Sequence, residues 1–267
     1  MLLKDLIEKN KITEDLLKNV NNKILHNKVR GISSNSKEIK KGYIFVAIKG
    51  KNFDGAEYIA EAEKLGAFLI IAEESCNKKV FSIKKGTARQ IYTLLLSSFY
   101  IKQPKQIIGV TGTNGKTSTV EFCRQLWALA GWKAASMGTL GTKTETPLNK
   151  SVYKNKEENL TTFEPSDLYE KLNFLVEEKI SHLALEASSH GIDQYRLDGV
   201  NFSGAVFTNL SHDHLDYHGN TENYFSTKKR LFTNVLKNNS AISINIDDIY
   251  GQKLYEELKD DNHFIIT

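Results

Sequence analysis

The sequence is poor in cysteine and in long apolar runs. Cys76 and Cys123 are the only two cysteines, and they form no CxxC pair. That argues against a disulfide framework and against a cysteine-built zinc site. No stretch approaches the ~18 consecutive apolar residues of a membrane helix. The N-terminal MLLKDLIEKNKITEDLL is broken by charges and lacks the apolar core and small-residue cleavage site of a signal peptide. A soluble, cytoplasmic protein with no membrane partner is expected. Excess charge is lacking too, since 36 Lys and Arg against 32 Asp and Glu leave a net +4. Lysine-rich stretches such as Lys37–Lys41 and Lys78–Lys85 read as solvated faces, and no nucleic-acid partner is expected. Neither an internal repeat nor a low-complexity tract is present.

What is there suits a globular α/β protein. Of 267 residues 40% are hydrophobic, enough for one large domain or two ordinary ones with real cores. Residues 1–26 read as one or two short amphipathic helices. Gly31–Ser33 and Tyr43–Ile48 read as strands, the second punctuated by Gly42 and Gly50. A helix over Tyr58–Leu65, a stop at Gly66 and a buried strand over Phe68–Ala72 complete one α/β unit. A helix over 87–101 precedes a linker at Lys102–Gln106. A second series then opens with a strand at Ile107–Val110 and a helix over Ser118–Ala130. Further strands are expected at His182–Leu185, Gly204–Thr208, Ala241–Asn245 and His263–Thr267, with helices over Ser166–Glu178 and Thr221–Leu236. The fold expected is a small N-terminal α/β domain, residues 1–103, followed by a doubly wound, mostly parallel sheet over 104–267. A strand at the last residues leads us to expect that this sheet is incomplete.

The loop Thr111–Thr117 reads TGTNGKT and joins a strand to a helix. Glycines let backbone N–H groups converge on an anion, and the following helix N-terminus adds its dipole. Lys116 would neutralise the β- and γ-phosphates of ATP, and the Thr117 hydroxyl would ligate Mg²⁺. The strict GxxxxGK[ST] pattern is not met, because Val110 stands where its first glycine belongs. Gly112 and Gly115 remain. Glu186 ends a predicted strand, where ligands gather in a doubly wound sheet, and is placed to hold a metal. Beyond the next strand, His212, His214 and His218 are three of the seven histidines. They read as a polar surface loop or, with no cysteine nearby and Mg²⁺ already implied by the phosphate loop, less naturally as zinc ligands. In YFSTKKRLF, Lys228 and Lys229 are adjacent on a helix, and spacing singles out neither.

Several ordered segments together resemble the Mur ligase family, MurE type: TGTNGKTSTVEF, LTTFEPSDLY from Leu160, LEASSHGIDQYRLDG from Leu185, AVFTNLSHDHLDYHG from Ala205, YFSTKKRLF, and SNSKEIKKGYIFVAIKGKNFDGAEYI near the N-terminus. The resemblance implies a UDP-binding first domain and a central ATP-binding domain. By position it assigns ATP to Thr111, Gly112, Thr113, Asn114, Gly115, Lys116, Thr117 and Asn209, and the metal to Thr117, Glu186, His214 and Lys228. Lys116, His214 and Lys228 become the catalytic set, Lys228 as a carbamate that holds a second Mg²⁺. Ser36, Thr161, Thr162, Ser188, Gln194 and Arg196 fall on substrate contacts. The implied reaction is ATP-dependent addition of a diamino acid, meso-diaminopimelate more commonly than lysine, to UDP-N-acetylmuramoyl-L-alanyl-D-glutamate through an acyl phosphate. The family implies a monomer working in peptidoglycan synthesis.

Departures from the family pattern also follow. Asn35-Ser36-Lys37 replaces the usual Asp-Ser-Arg, and Lys37 lacks arginine's bidentate fork. Phe163 stands where proline is common. A third domain, on the order of 150 residues, is expected to be missing, and with it the amino-acid pocket. A folylpolyglutamate-type or other Mur-like ligase, and a non-catalytic nucleotide-binding module, are the competing readings.

Overall fold

The computed structural model describes residues 1–9, 22–50, 53–73, 80–145 and 160–267. The chain divides into two compact units, Met1–Ile101 and Lys102–Thr267. Cys76 and the middle of the expected N-terminal helices lie outside the described residues.

The first unit holds a four-stranded parallel sheet in the order β1 (Gly31–Ser33), β2 (Tyr43–Val46), β3 (Ala67–Glu73) and β4 (Val80–Ile83). Its helices are α1 (Leu3–Glu8), α2 (Asn22–Leu25), α3 (Ile59–Leu65) and α4 (Ala88–Phe99). Strand β4 corrects the sequence reading, because Val80 and Ile83 are buried within a lysine-rich stretch taken for a solvated face. Helix α3 ends at Gly66, left-handed at φ 101°, whose N–H bonds Ala62 and Glu63 carbonyls.

The second unit is a seven-stranded sheet in the order β11-β10-β9-β5-β8-β6-β7. Strand β5 (Gln106–Thr111) lies between β8 (His182–Glu186) and β9 (Gly204–Phe207). Beyond β8 come β6 (Ala134–Gly138) and, antiparallel to it, β7 (Gly141–Thr144). Beyond β9 come β10 (Ala241–Ile244) and β11 (Phe264–Ile266), both parallel. The chain leaves β5 toward one side and later returns to its other side with β9. That reversal opens a crevice at the carboxyl ends of the central strands.

The helices are α5 (Lys116–Leu129), α6 (Pro165–Glu177), the short α7 (Ser189–Asp193) and α8 (Leu215–His218), α9 (Thr221–Arg230) and α10 (Ile249–Leu258). Most have legible starts. Pro165 opens α6, the Asn220 side chain caps α9, and Asp248 caps α10 by accepting from Tyr250 and Gly251. Helix α5 is different: its N-cap is Gly115, left-handed at φ 83°, and no side chain caps it. The α-helix expected through Leu236 stops at Arg230 and continues as a π-helical turn, Leu231–Val235. The wider turn seats Leu231 and Phe232 in the core.

Helix α6 buries Leu168, Leu172 and Leu175 along one stripe, with Tyr169 beside them. The Tyr169 hydroxyl accepts the Gly199 N–H at 2.8 Å. Tyr169→Phe keeps the ring and removes that acceptor. The expected cost is about 1 kcal/mol, read as a lower urea midpoint with an unchanged denaturant slope.

Candidate active site

The loop after β5 is built around Gly112. Its φ is +148°, and a side chain there would collide with the Thr208 hydroxyl, so glycine is required. The segment after β9 stitches the loop in place. Thr113 N–H donates to the Asn209 carbonyl at 2.9 Å, and Asn114 N–H donates to the Asn209 side chain at 3.0 Å. The Thr208 hydroxyl and the Asn209 amide both donate to the Asn114 carbonyl. Ser211 N–H donates to the Thr113 hydroxyl, which also meets the Tyr224 hydroxyl at 3.3 Å. Asn209, assigned to ATP by resemblance, therefore has its side chain engaged in shaping the loop.

Two lysines converge on one atom. Lys116 Nζ donates to the Gly112 and Thr113 carbonyls at 2.9 and 2.8 Å. Lys228 Nζ, on α9 and only 1% exposed, donates to the same Gly112 oxygen at 2.8 Å. Its ammonium also lies 4.4 Å from the Tyr224 ring centroid. Burial, then the charge of Lys116, holds the Lys228 pKa well below the ordinary lysine value, against Asp213, which raises it. Burial also lowers Lys116, against Glu186 and Asp213. The loop thus gathers two lysine amines at an uncapped helix N-terminus, the arrangement that receives a polyphosphate.

Glu186 ends β8 at 1% exposure. One carboxylate oxygen accepts the Thr139 N–H at 3.0 Å and the other accepts the Thr139 hydroxyl at 3.2 Å. A side chain on Gly138 would collide with this carboxylate. Asn114, Lys116, Thr117, Thr139, Thr161 and Glu186 line one cleft. Sequence reasoning missed Gly138 and Thr139. The signal was their place at the carboxyl end of a strand, but β6 reads AASMG and lacks the β-branched residues that announce one. Tyr224, Thr208 and Asp213 were missed for another reason, since their proximity to the loop is a product of tertiary packing.

The remaining expected residues are not in the cleft lining. Thr162, 1% exposed, donates to the Glu186 carbonyl and accepts from both the Ser188 N–H and the Ser188 hydroxyl, each at 2.9 Å. Its single proton and both lone pairs are engaged within the protein. Arg196 is 7% exposed and reaches the Thr162 carbonyl at 2.6 Å, the Gln194 side chain at 2.8 Å and Glu164 at 2.7 Å. Ser36, in the first unit, is buried with its hydroxyl on Glu61. His214 caps α8 in a left-handed conformation, φ 53°, 3.5 Å from Asp213. Its ring meets the edge of His190, which in turn packs on Tyr217 and faces His218. Burial is the main cause lowering the pKa of both His190 and His218. His212 is exposed.

Among the described residues no three His, Cys, Asp or Glu side chains group as a metal site. The oxygen donors lining the cleft include the Glu186 carboxylate and the Thr117 hydroxyl. These are hard oxygens that fit Mg²⁺ completed by phosphate oxygens and water. The crowding of Gly138 against Glu186 fits a carboxylate held for such a ligand.

Comparison with known proteins agrees with this architecture. The model for the Mur ligase middle domain matches residues 110–267, and that for the Mur ligase family catalytic domain matches residues 28–96. The chain belongs to the Mur ligase family. This Mur ligase chain is 40% identical over 231 residues to the UDP-N-acetylmuramoyl-L-alanyl-D-glutamate--2,6-diaminopimelate ligase of Brucella melitensis, covering 85% of this chain and 46% of that protein. The ligase of the same name from Rickettsia rickettsii is 42% identical over 225 residues, covering 83% and 46%. A solved structure of a ligase with that name matches all of this chain and 52% of its own, with a TM-score of 0.78 and 25% identity. The MurF ligase of Thermotoga maritima in complex with ADP shares the fold, with a TM-score of 0.53 at 23% identity, over 89% of this chain and 50% of its own. The chain spans about half the length of the curated relatives it matches.

Two predictions follow from the packing. In the unfolded chain Lys228 titrates near 10.5, and in the native state its pKa lies lower. Between those values the unfolded chain binds more protons, so this residue's contribution to stability rises with pH. Lys228→Met removes the titration and leaves Lys116 on the Gly112 carbonyl. In EDTA and CO₂-free buffer the variant should gain stability relative to the parent near pH 7 and lose that gain near pH 10. An offset between the two that does not change with pH would refute the depressed pKa. Separately, Gly138→Ala should push the Glu186 carboxylate aside and weaken Mg²⁺-dependent nucleotide binding about tenfold, measured by calorimetry with and without EDTA.

Proposed function

We propose that this chain carries the nucleotide- and acceptor-binding parts of an ATP-dependent ligase that adds meso-diaminopimelate to UDP-N-acetylmuramoyl-L-alanyl-D-glutamate. The observation that carries this reading is the single cleft lined by Asn114, Lys116 and Thr117 of the phosphate loop together with Thr139, Thr161 and Glu186. It joins a polyphosphate cradle to an acceptor-facing wall. The name shared by the curated relatives supports the substrate pair.

In the first step a carboxylate oxygen of the terminal D-glutamate attacks the γ-phosphorus of ATP, and ADP leaves. In the second, the amine of the diamino acid attacks the acyl carbon, phosphate leaves and the amine gives up a proton. Both reactants of the first step are anions, so the protein must suppress their repulsion. Lys116 supplies fixed positive charge where the phosphates converge, and the uncapped α5 adds its dipole. Glu186 and Thr117 would hold Mg²⁺, which when bound neutralises charge on the transferring phosphoryl group. Lys228 suits conversion to a carbamate, because its buried environment favours the neutral amine that reacts with CO₂. The new C–N bond forms from the neutral amine and CO₂, releases one proton and leaves a carboxylate where the amine stood. Nucleotide substrates of this kind put the reaction in the cytoplasm, and the protein is read as a monomer.

Calorimetric titration tests the reading. Mg²⁺·AMP-PNP and UDP-N-acetylmuramoyl-L-alanyl-D-glutamate should each bind saturably, and Lys116→Ala should weaken the nucleotide about tenfold or more, ~1.4 kcal/mol per decade. Binding of a pteroate in place of the UDP-sugar dipeptide would move the chain to the folate branch. Failure to bind nucleotide would sink the proposal.

A further inference from the structure

Thr139 sits between the carboxylate Glu186 and the acceptor-side residue Thr161. Its N–H and its hydroxyl reach the two oxygens of Glu186 at 3.0 and 3.2 Å. The same hydroxyl lies 3.0 Å from the Thr161 hydroxyl. A threonine has one hydroxyl proton, and an ionised carboxylate only accepts. With the Thr139 proton on Glu186, Thr161 must donate its own proton to Thr139. Thr161 is then left with lone pairs alone, and can only accept from a ligand.

We propose that Thr139 is a positioning residue that couples the cation state of Glu186 to the hydrogen-bond polarity of Thr161. When Glu186 ligates a cation, its oxygen is a poorer acceptor for Thr139. The Thr139 hydroxyl then turns its proton to Thr161, and the Thr161 proton is released toward the cleft. Thr161 becomes a donor, able to bind a carbonyl or carboxylate oxygen of the acceptor. No proton enters or leaves the pair. The backbone N–H of Thr139 holds the other Glu186 oxygen throughout, so the carboxylate keeps its place while the hydroxyl turns. Thr162 cannot take this role, since its hydroxyl is saturated by Glu186 and Ser188. The proposal rests on the ligase reading of the cleft, with an anionic acceptor bound beside Thr161.

The test is a thermodynamic cycle on the 267-residue chain. UDP-N-acetylmuramoyl-L-alanyl-D-glutamate is titrated in EDTA and again with Mg²⁺·AMP-PNP present. The parent should bind the sugar nucleotide about fivefold tighter in the second condition, a coupling of ordinary allosteric size. Thr139→Val keeps the shape and the backbone N–H but removes the hydroxyl, which frees the Thr161 proton in both conditions, and should abolish most of that coupling by raising the affinity in EDTA toward the value with Mg²⁺·AMP-PNP. Thr139→Ser should restore it, which a purely structural role would not require. If Thr139→Val does not fold, Thr139→Ala makes the same deletion. Coupling in the hydroxyl-free variant equal to the parent's would overturn the relay and leave the ligase reading standing. Absence of binding by the parent to either ligand would overturn both.

Discussion

The Gly112 carbonyl accepts hydrogen bonds from both Lys116 and Lys228, and the packing of the second unit holds the two amines there. Like charges at one oxygen repel, and burial raises the cost of each. The arrangement persists because Asp213 and Glu186 offset the charges electrostatically and because α9 buries Lys228 beside the Tyr224 ring. A polyanion entering the loop would relieve the repulsion, so part of its binding free energy is prepared by the apo fold. The requirement reaches into the backbone. Gly112 must adopt a positive φ, because any side chain there would meet Thr208.

Rigidity of the loop comes from across the sheet. Thr208, Asn209 and Ser211 follow β9, which pairs with β5 at Thr111 and Phe207. Their bonds to Thr113 and Asn114 tie two crossover loops into one surface. Each such bond contributes only about 1 kcal/mol net. Their larger effect is to fix the loop backbone before a ligand arrives, which is where electrostatic preorganisation originates. Asp248 extends the same surface by capping α10 while accepting the Leu210 N–H at 3.1 Å.

What the sequence made legible was local. The phosphate loop is seven consecutive residues, and Glu186 ends a strand whose apolar run is continuous. Parallel strands buried on both faces announce themselves in this way. Strand β4 did not, because two buried residues sit among lysines. Strand β6 did not, because small residues pack where bulky ones are expected. Lys228 could not be told from Lys229 by spacing. One is buried on the loop and the other reaches Glu257 on α10 at 2.7 Å, a difference fixed by how α9 rotates against the sheet. Resemblance gave a role to Lys228 and none to Lys229, and Lys228 is the buried one of the two, but resemblance could not supply Thr139, whose contact with Glu186 spans 47 residues of the chain.

Arg196 shows how a residue can belong to a site without facing its ligand. A guanidinium is a natural clamp for an anion, yet this one is nearly enclosed. It grips the Thr162 carbonyl and is neutralised by Glu164, whose side chain is about half exposed. In that state it contributes shape rather than net charge, fixing the backbone of 161–164 from behind. Thr162 then braces the Glu186 carbonyl, and Thr161 is left at the cleft surface beside Thr139. An incoming carboxylate could claim Arg196 only by displacing Glu164, an exchange of one ion pair for another with little net change in charge. Under the relay proposed above, selectivity at this wall would depend more on the direction of hydroxyl protons than on the number of positive charges. The lysine amines gather instead at the phosphate loop, where Lys116 and Lys228 share the Gly112 carbonyl.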